Sequence, residues 1–259
     1  MTDDAALLAA LPAWAFALML VVARTGAAMA LMPGLGEASA PSVVRAGLAC
    51  GVALLLLPAI APLVPPMPEA SVAAAGMVAA EVVTGLWLGW LARLIVLALP
   101  IAGQVLSYLL GLSNVLQPDA ELGAQATAVA RLFEVAAPAL VLGSGLYALP
   151  LAALAGSYTL IAPGALLPAG DGAAMAVGAV AKSFGLALQL SAPFVLASVV
   201  WTVAAGLLSR LVPRLQVYFM AMPAQILGGL LLLAVTTAGL LSAWQSAARD
   251  MLASLPGLP

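Results

Sequence analysis

The chain has 259 residues, of which 65% are hydrophobic and only 7% charged, with a formal net charge of −2 and a mean hydropathy of +1.19. A soluble domain carries about 25% charged residues to cover its core, so a water-soluble globule is excluded. The weak negative charge also argues against a nucleic-acid partner, which needs clustered Lys and Arg. His is absent and Cys50 is the single cysteine, which removes Cys₂His₂ and His₃ zinc centres, Ser–His and Cys–His catalytic pairs, and any intrachain disulfide.

What remains is an all-α, polytopic integral membrane protein embedded in lipid, with no cofactor expected. A bilayer-spanning helix needs about 20 mostly apolar residues. The chain opens on Asp3-Asp4 and not on a basic segment, so its first apolar stretch reads as a retained helix. Six spans are expected, at 11–32, 43–64, 72–99, 127–149, 176–209 and 216–246. Residues 101–116 lie between Pro100 and Pro118 and read as a short or re-entrant helix. The uncharged run from Val135 to Gly170 is too long for one span and contains Pro150, Pro163 and Pro168. It reads as a helix to about Leu149 followed by a broken return segment.

Pro33, Pro41, Pro65, Pro66, Pro68, Pro118 and Pro213 fall between spans, where a missing N–H costs nothing. Pro138, Pro193 and Pro223 fall inside spans and are expected to kink them. In hydrocarbon the freed carbonyls need another partner, so such spans pack against protein. Gly85 and Gly89 form a G-x-x-x-G pair on the third span, and Gly228 and Gly229 sit in the last. Small faces of this kind let helices approach closely. Arg45, Arg131, Arg210 and Arg214 cluster at the odd-numbered turns, which the positive-inside rule assigns to the cytoplasm, leaving both termini outside.

Arg24, Glu81, Arg93, Arg131 and Glu134 fall within or at the edges of spans, where a charge costs about 2.5–3.5 kcal/mol on insertion scales. Arg131 and Glu134 are i,i+3 neighbours able to pair. A substrate or proton pathway is one explanation for the set. Snorkelling at span ends and pairing between subunits is the other, and it is favoured because only Glu81 lies well inside a span. A proton relay wants carboxylates or histidines in series. A polar stretch, Gly111-Leu112-Ser113-Asn114-Val115-Leu116-Gln117-Pro118-Asp119 and on to Gln125, separates two apolar segments. Gly111, Pro118 and Gly123 argue against a continuous helix there. It is either an exposed loop or a loop folded into a pore, the setting in which irregular backbone is tolerated at membrane depth.

Three elements in order resemble the FliR family of flagellar type III export-gate subunits and their injectisome counterparts, the SctT type. The first is Arg24 followed by Met32-Pro33-Gly34-Leu35-Gly36, then Pro41 and Arg45. The second is Glu81-x-x-x-Gly85-x-x-x-Gly89, leading to Gly103-Gln104, Gly111 and Pro118-Asp119. The third runs from Gly206 through Arg210, Pro213, Arg214 and Tyr218 to Pro223, followed by Gly228. The chain departs from the family pattern at Pro213-Arg214-Leu215-Gln216, where the family usually has Pro-Gln-x-Asn, and at Pro118-Asp119, where it often has Asp-Pro.

The resemblance implies a structural, non-enzymatic subunit of a helical inner-membrane gate. Its partners would be P-, Q- and B-type subunits, and unfolded proteins would pass through its centre. Residues 1–175 would then resemble the P-type subunit. Residues 176–259 would form a Q-type hairpin turning at Arg210, Pro213 and Arg214 on the cytoplasmic side, and residues 111–125 would be the plug loop. The injectisome subunit is the nearest alternative. A small-solute carrier using Glu81 and Arg93 is another, although such carriers show matched halves and no clear repeat is visible here.

Overall fold

The computed structural model describes residues 2–112, 127–211 and 217–258. Among the described residues the regular structure is helical: α1 (Thr2–Leu31), α2 (Ser42–Ile60) with a 3₁₀ turn at Ala61–Leu63, α3 (Ser71–Val96), α4 (Ala98–Leu109), α5 (Ala128–Gly143), α6 (Ala148–Leu160), α7 (Ala169–Leu211) and α8 (Val217–Ala253). Five stretches are long and apolar enough to cross a bilayer: Leu11–Leu31, Ser42–Leu63, Ser71–Leu109, Ala169–Leu211 and Ala221–Ala253. The interrupted pair α5–α6 makes a sixth when taken as one span. The chain is a polytopic all-α membrane protein.

Several boundaries differ from the sequence expectation: the spans expected at 176–209 and 216–246 are helical over Ala169–Leu211 and Val217–Ala253, and two further differences fall in the middle of the chain. The helix expected to continue to Leu149 ends at Gly143, and a new one starts at Ala148. Gly145 makes the turn with φ +75°, a conformation that costs glycine little. Pro150 falls in the first turn of α6, where its missing N–H would have had no intrahelical acceptor. The doubtful segment 101–116 contributes α4, which starts earlier, at Ala98, after an interruption at Leu97. Pro100 cannot donate to a carbonyl four residues back, so a break at this point is expected. Pro12 and Pro58 also lie inside helices, as do Pro138, Pro193 and Pro223.

The chain forms two compact units, each discontinuous in sequence: Met1–Ile95, Val141–Ala179 and Asp250–Pro259 in the first, Val96–Leu140 and Val180–Arg249 in the second. In the first, Ala28 and Met29 of α1 and Met32 just after it pack with Ala49 of α2, Leu88 of α3 and Leu154 of α6. A second cluster joins Val21, Ala53, Ile60 and Tyr158. The glycine pair explains how α1 and α3 approach. A Cβ on Gly85 would strike the Arg24 carbonyl, and one on Gly89 the Ala28 carbonyl. In the second unit Gly103 of α4 plays the same part: a Cβ there would lie 2.9 Å from both the Cα of Ala130 and the ring of Phe133 on α5.

Candidate functional site

Glu81, Gly85 and Gly89 recur at i, i+4 and i+8 and so share one face of α3. The glycines bring the α1 backbone against that face, and this proximity seats Arg24 over Glu81. The pair is bidentate: Arg24 Nε donates to Glu81 Oε2 at 2.7 Å and Nη2 to Oε1 at 2.9 Å. Neither side chain has any exposed surface. Two of the three remaining N–H groups are also used, Nη1 towards Ser157 Oγ at 3.2 Å and Nη2 towards the Ile161 carbonyl at 3.1 Å. The guanidinium carbon sits 4.1 Å from the centre of the Tyr158 ring, within cation–π range.

Glu81 Oε1 further accepts the Gly164 backbone N–H at 2.6 Å. Gly164 holds φ +79°, the turn that aims its N–H at the carboxylate. The cluster therefore joins α1, α3, α6 and the 161–164 turn through one pair of opposite charges. A buried charge is tolerated when paired and hydrogen-bonded, and here Arg24 makes four hydrogen bonds and Glu81 accepts three. On the outer side of α6, a Cβ on Gly156 would strike the Gly257 carbonyl, so the tail following α8 packs beside Ser157.

The other expected charges lie elsewhere. Arg93 Nη2 is 3.5 Å from Glu37 Oε2, half-buried, and Glu37 Oε1 accepts the Gly34 N–H at 3.3 Å. This ties the turn after α1 to the end of α3. Arg131 pairs with Glu134 at 2.8 Å on an exposed face of α5, as the i,i+3 spacing predicts. Glu81 and Arg93, which a solute carrier would bring to one site, are held apart by different partners. Among the described residues no group of three His, Cys, Asp or Glu side chains could hold a metal.

The central polar stretch is described only at its margins: Gly111 and Leu112 are visible, whereas Ser113, Asn114, Val115, Leu116, Gln117, Pro118 and Asp119 lie outside the described residues. Both margins are anchored. α4 ends in a Schellman motif, with Leu112 N–H on the Ser107 carbonyl at 3.0 Å and Gly111 N–H on Tyr108 at 3.2 Å, and Gly111 at φ +72°. Gln225 of α8 donates to the Leu109 carbonyl at 3.1 Å. At the far margin Gln104 Oε1 accepts from Thr127 Oγ1 at 3.2 Å and from its N–H at 3.4 Å. Arg210 is exposed in the last turn of α7, while Pro213 and Arg214 lie outside the described residues.

Sequence reasoning missed Ser157, Tyr158, Gly164, Gln225 and Thr127. The only available signal was local: the polar run Gly156-Ser157-Tyr158-Thr159 inside an apolar segment, and Gly164 directly after Pro163.

Fold and site together define a class: a multi-pass helical membrane protein whose intramembrane charges are used to join its own helices. The sequence profile described as "Bacterial export proteins, family 1" matches residues 15–251. The "Flagellar biosynthetic protein FliR" of Caulobacter vibrioides is 36% identical over 233 residues, covering 90% of this chain and 93% of the relative. The protein of the same name from Bacillus subtilis is 28% identical over 223 residues, 85% of each. The chain belongs to this family of bacterial export proteins and is a subunit of the flagellar export apparatus.

Proposed function

We propose that the chain is a channel-forming, non-enzymatic subunit of the type III export gate in the inner membrane, passing unfolded flagellar proteins. The observation that carries this is the length of its last two helices. α7 has 43 residues and α8 has 37, or roughly 65 and 55 Å at 1.5 Å per residue, against a hydrocarbon core of about 30 Å. Only 17% and 11% of their most apolar windows are buried within the chain. Helices of that length and exposure call for other subunits, and P-, Q- and B-type gate proteins are the partners the family resemblance implies. In this reading residues 1–175 take the P-type part and 176–259 the Q-type hairpin, with the Arg210–Arg214 turn facing the cytoplasm.

The polar loop between α4 and α5 is the plug. Its anchored margins, Gly111–Leu112 and Thr127, support a loop of fixed footing whose middle closes the pore. Deleting Leu112–Asp119 in the assembled complex should raise membrane conductance while the complex still forms. A membrane that stays tight around a fully assembled complex would sink the plug assignment. A tagged chain extracted in mild detergent should also bring down the other gate subunits, and its recovery as a lone monomer would count against the gate reading itself.

A further inference from the structure

Arg45 lies in the first turn of α2, half-buried, and its Nε is enclosed with no hydrogen-bond partner among the described residues. The other arginines of this unit are matched, Arg24 to Glu81 and Arg93 to Glu37. Arg45 instead borders a cavity of about 300 Å³ lined by Val22, Gly26, Met29 and Ala30 of α1 and by Ser42, Ala46, Ala49 and Cys50 of α2. The walls are small and apolar, and the single cation sits at the helix end. Pro41 at the N-cap of α2 makes no side-chain capping bond; the Val44 and Arg45 N–H groups close onto the Pro41 carbonyl, which leaves the Ser42 and Val43 N–H groups uncapped by a side chain. A cavity with an unmatched guanidinium at its rim and hydrocarbon-like walls running inward along two spans fits an amphiphile with an anionic head and an acyl tail.

We propose that the α1–α2 cavity binds an anionic phospholipid, its phosphate on Arg45 and Ser42 and one acyl chain against Gly26, Ala30, Ala46 and Ala49. A guanidinium recognises a phosphate through paired N–H donors. Basic pockets between spans on the cytoplasmic side are a recurrent form of headgroup site. An incoming protein helix would satisfy Arg45 only by placing a carboxylate at the cavity mouth, whereas an anionic phospholipid carries the matching charge and the apolar tail in one molecule, so lipid is the better occupant.

Cys50 lines the cavity, is exposed, and is the chain's single cysteine, so maleimide labelling of Cys50 reads occupancy directly. The full chain in zwitterionic micelles should label more slowly when phosphatidylglycerol is added than when the same amount of phosphatidylcholine is added. The expected difference is about fivefold, the factor equivalent to ~1 kcal/mol of headgroup attraction per basic residue. Arg45→Gln should erase the difference and Arg45→Lys should keep most of it. Ala46→Phe, which fills the cavity and leaves the charge, should make labelling insensitive to either lipid. Equal protection by both lipids overturns the proposal, as does equal protection by inorganic phosphate, which would make this a free-anion site. Protection that tracks a co-purified gate subunit in place of lipid overturns it in favour of a protein contact. The wild-type comparison of the two lipids decides the matter without any variant.

Discussion

Removing one member of the Arg24–Glu81 pair should be among the most damaging single changes outside the loop. Glu81→Gln keeps the size of the side chain and an oxygen for the Gly164 N–H. It replaces the second carboxylate oxygen, however, with an NH₂ group facing the guanidinium donors, and leaves Arg24 without a counter-charge where neither side chain is exposed. Two hydrogen bonds to Arg24, at 2.7 and 2.9 Å, are weakened or lost. Breaking one side of a buried pair costs about 3–5 kcal/mol, and retention of the Gly164 bond puts Glu81→Gln near the lower figure. Against total stabilities of about 5–15 kcal/mol, that is a large fraction. Arg24→Met combined with Glu81→Leu removes both charges, and apolar replacement of a whole pair is often neutral or stabilising. The double variant should therefore be more stable than either single change, with strongly non-additive effects. Reversible unfolding in mixed micelles, followed by circular dichroism against denaturing detergent, measures all four proteins. Additive effects, or a Glu81→Gln cost below about 1 kcal/mol, would refute the reasoning.

Four further outcomes follow from the same geometry. Gly85→Ala should destabilise by about 1–3 kcal/mol through overpacking against the Arg24 carbonyl. Gly76→Ala, in the same helix but with nothing within 4 Å of the new methyl, should be neutral or gain about 0.4–1 kcal/mol, and thermal unfolding of the two variants side by side checks both. Arg131 and Glu134 are 66% and 51% exposed, so a double-mutant cycle on the isolated chain should give a coupling of no more than about 0.5 kcal/mol. Gly257→Ala should loosen the tail from α6, since Gly257 holds φ +98° and a Cβ there would strike the Ala153 carbonyl. Faster proteolysis after residue 250 reports the loosening, and an unchanged digestion rate would contradict it.

Much of this was legible in the sequence because hydrophobic length and helix-breaking residues are local signals. The spans at 11–32 and 43–64 match the apolar stretches Leu11–Leu31 and Ser42–Leu63 closely, although α1 itself starts at Thr2, and the i,i+3 pairing of Arg131 with Glu134 needed only helix geometry. Gly111 argues against a continuous helix through the polar stretch, and the Schellman bonds to Ser107 and Tyr108 end α4 there, short of the expected residue 116. Pro150 was misread as a terminator because a proline in a helix's first turn and one past its end look alike when the helix start is unknown. The Gly143-Ser144-Gly145 run carried the better signal. The Arg24–Glu81 pair was the real gap. Its members are 57 residues apart and their other partners, Ser157 and Ile161, 133 and 137 residues from Arg24, so no periodicity could join them. Snorkelling and pairing between subunits were therefore favoured for charges that pair inside the chain, Arg24 with Glu81, Arg93 with Glu37 and Arg131 with Glu134. Gly85 and Gly89 were the trace of that closeness in the sequence, since only a very near neighbour requires two glycines one turn apart.

The contrast between that centre and the last two helices bears on how the subunit works. In the first unit, the intramembrane charges Arg24 and Glu81 are matched within the chain. α7 and α8 instead present Leu188, Leu196, Val200, Leu231 and Val235 more than half exposed. Exposure alone is ordinary for a helix facing lipid, and length makes the difference. For a straight helix of roughly 65 Å to stay inside a hydrocarbon core of about 30 Å it would have to tilt by about 60°, well beyond the observed range of about 0–40°. Pro193 lies inside α7, and a bend there would shorten the vertical reach without removing the apolar surface. Some of that surface therefore lies beyond the bilayer's hydrocarbon, where contiguous apolar patches are not left bare to water. On the gate reading proposed above, neighbouring subunits are what cover it.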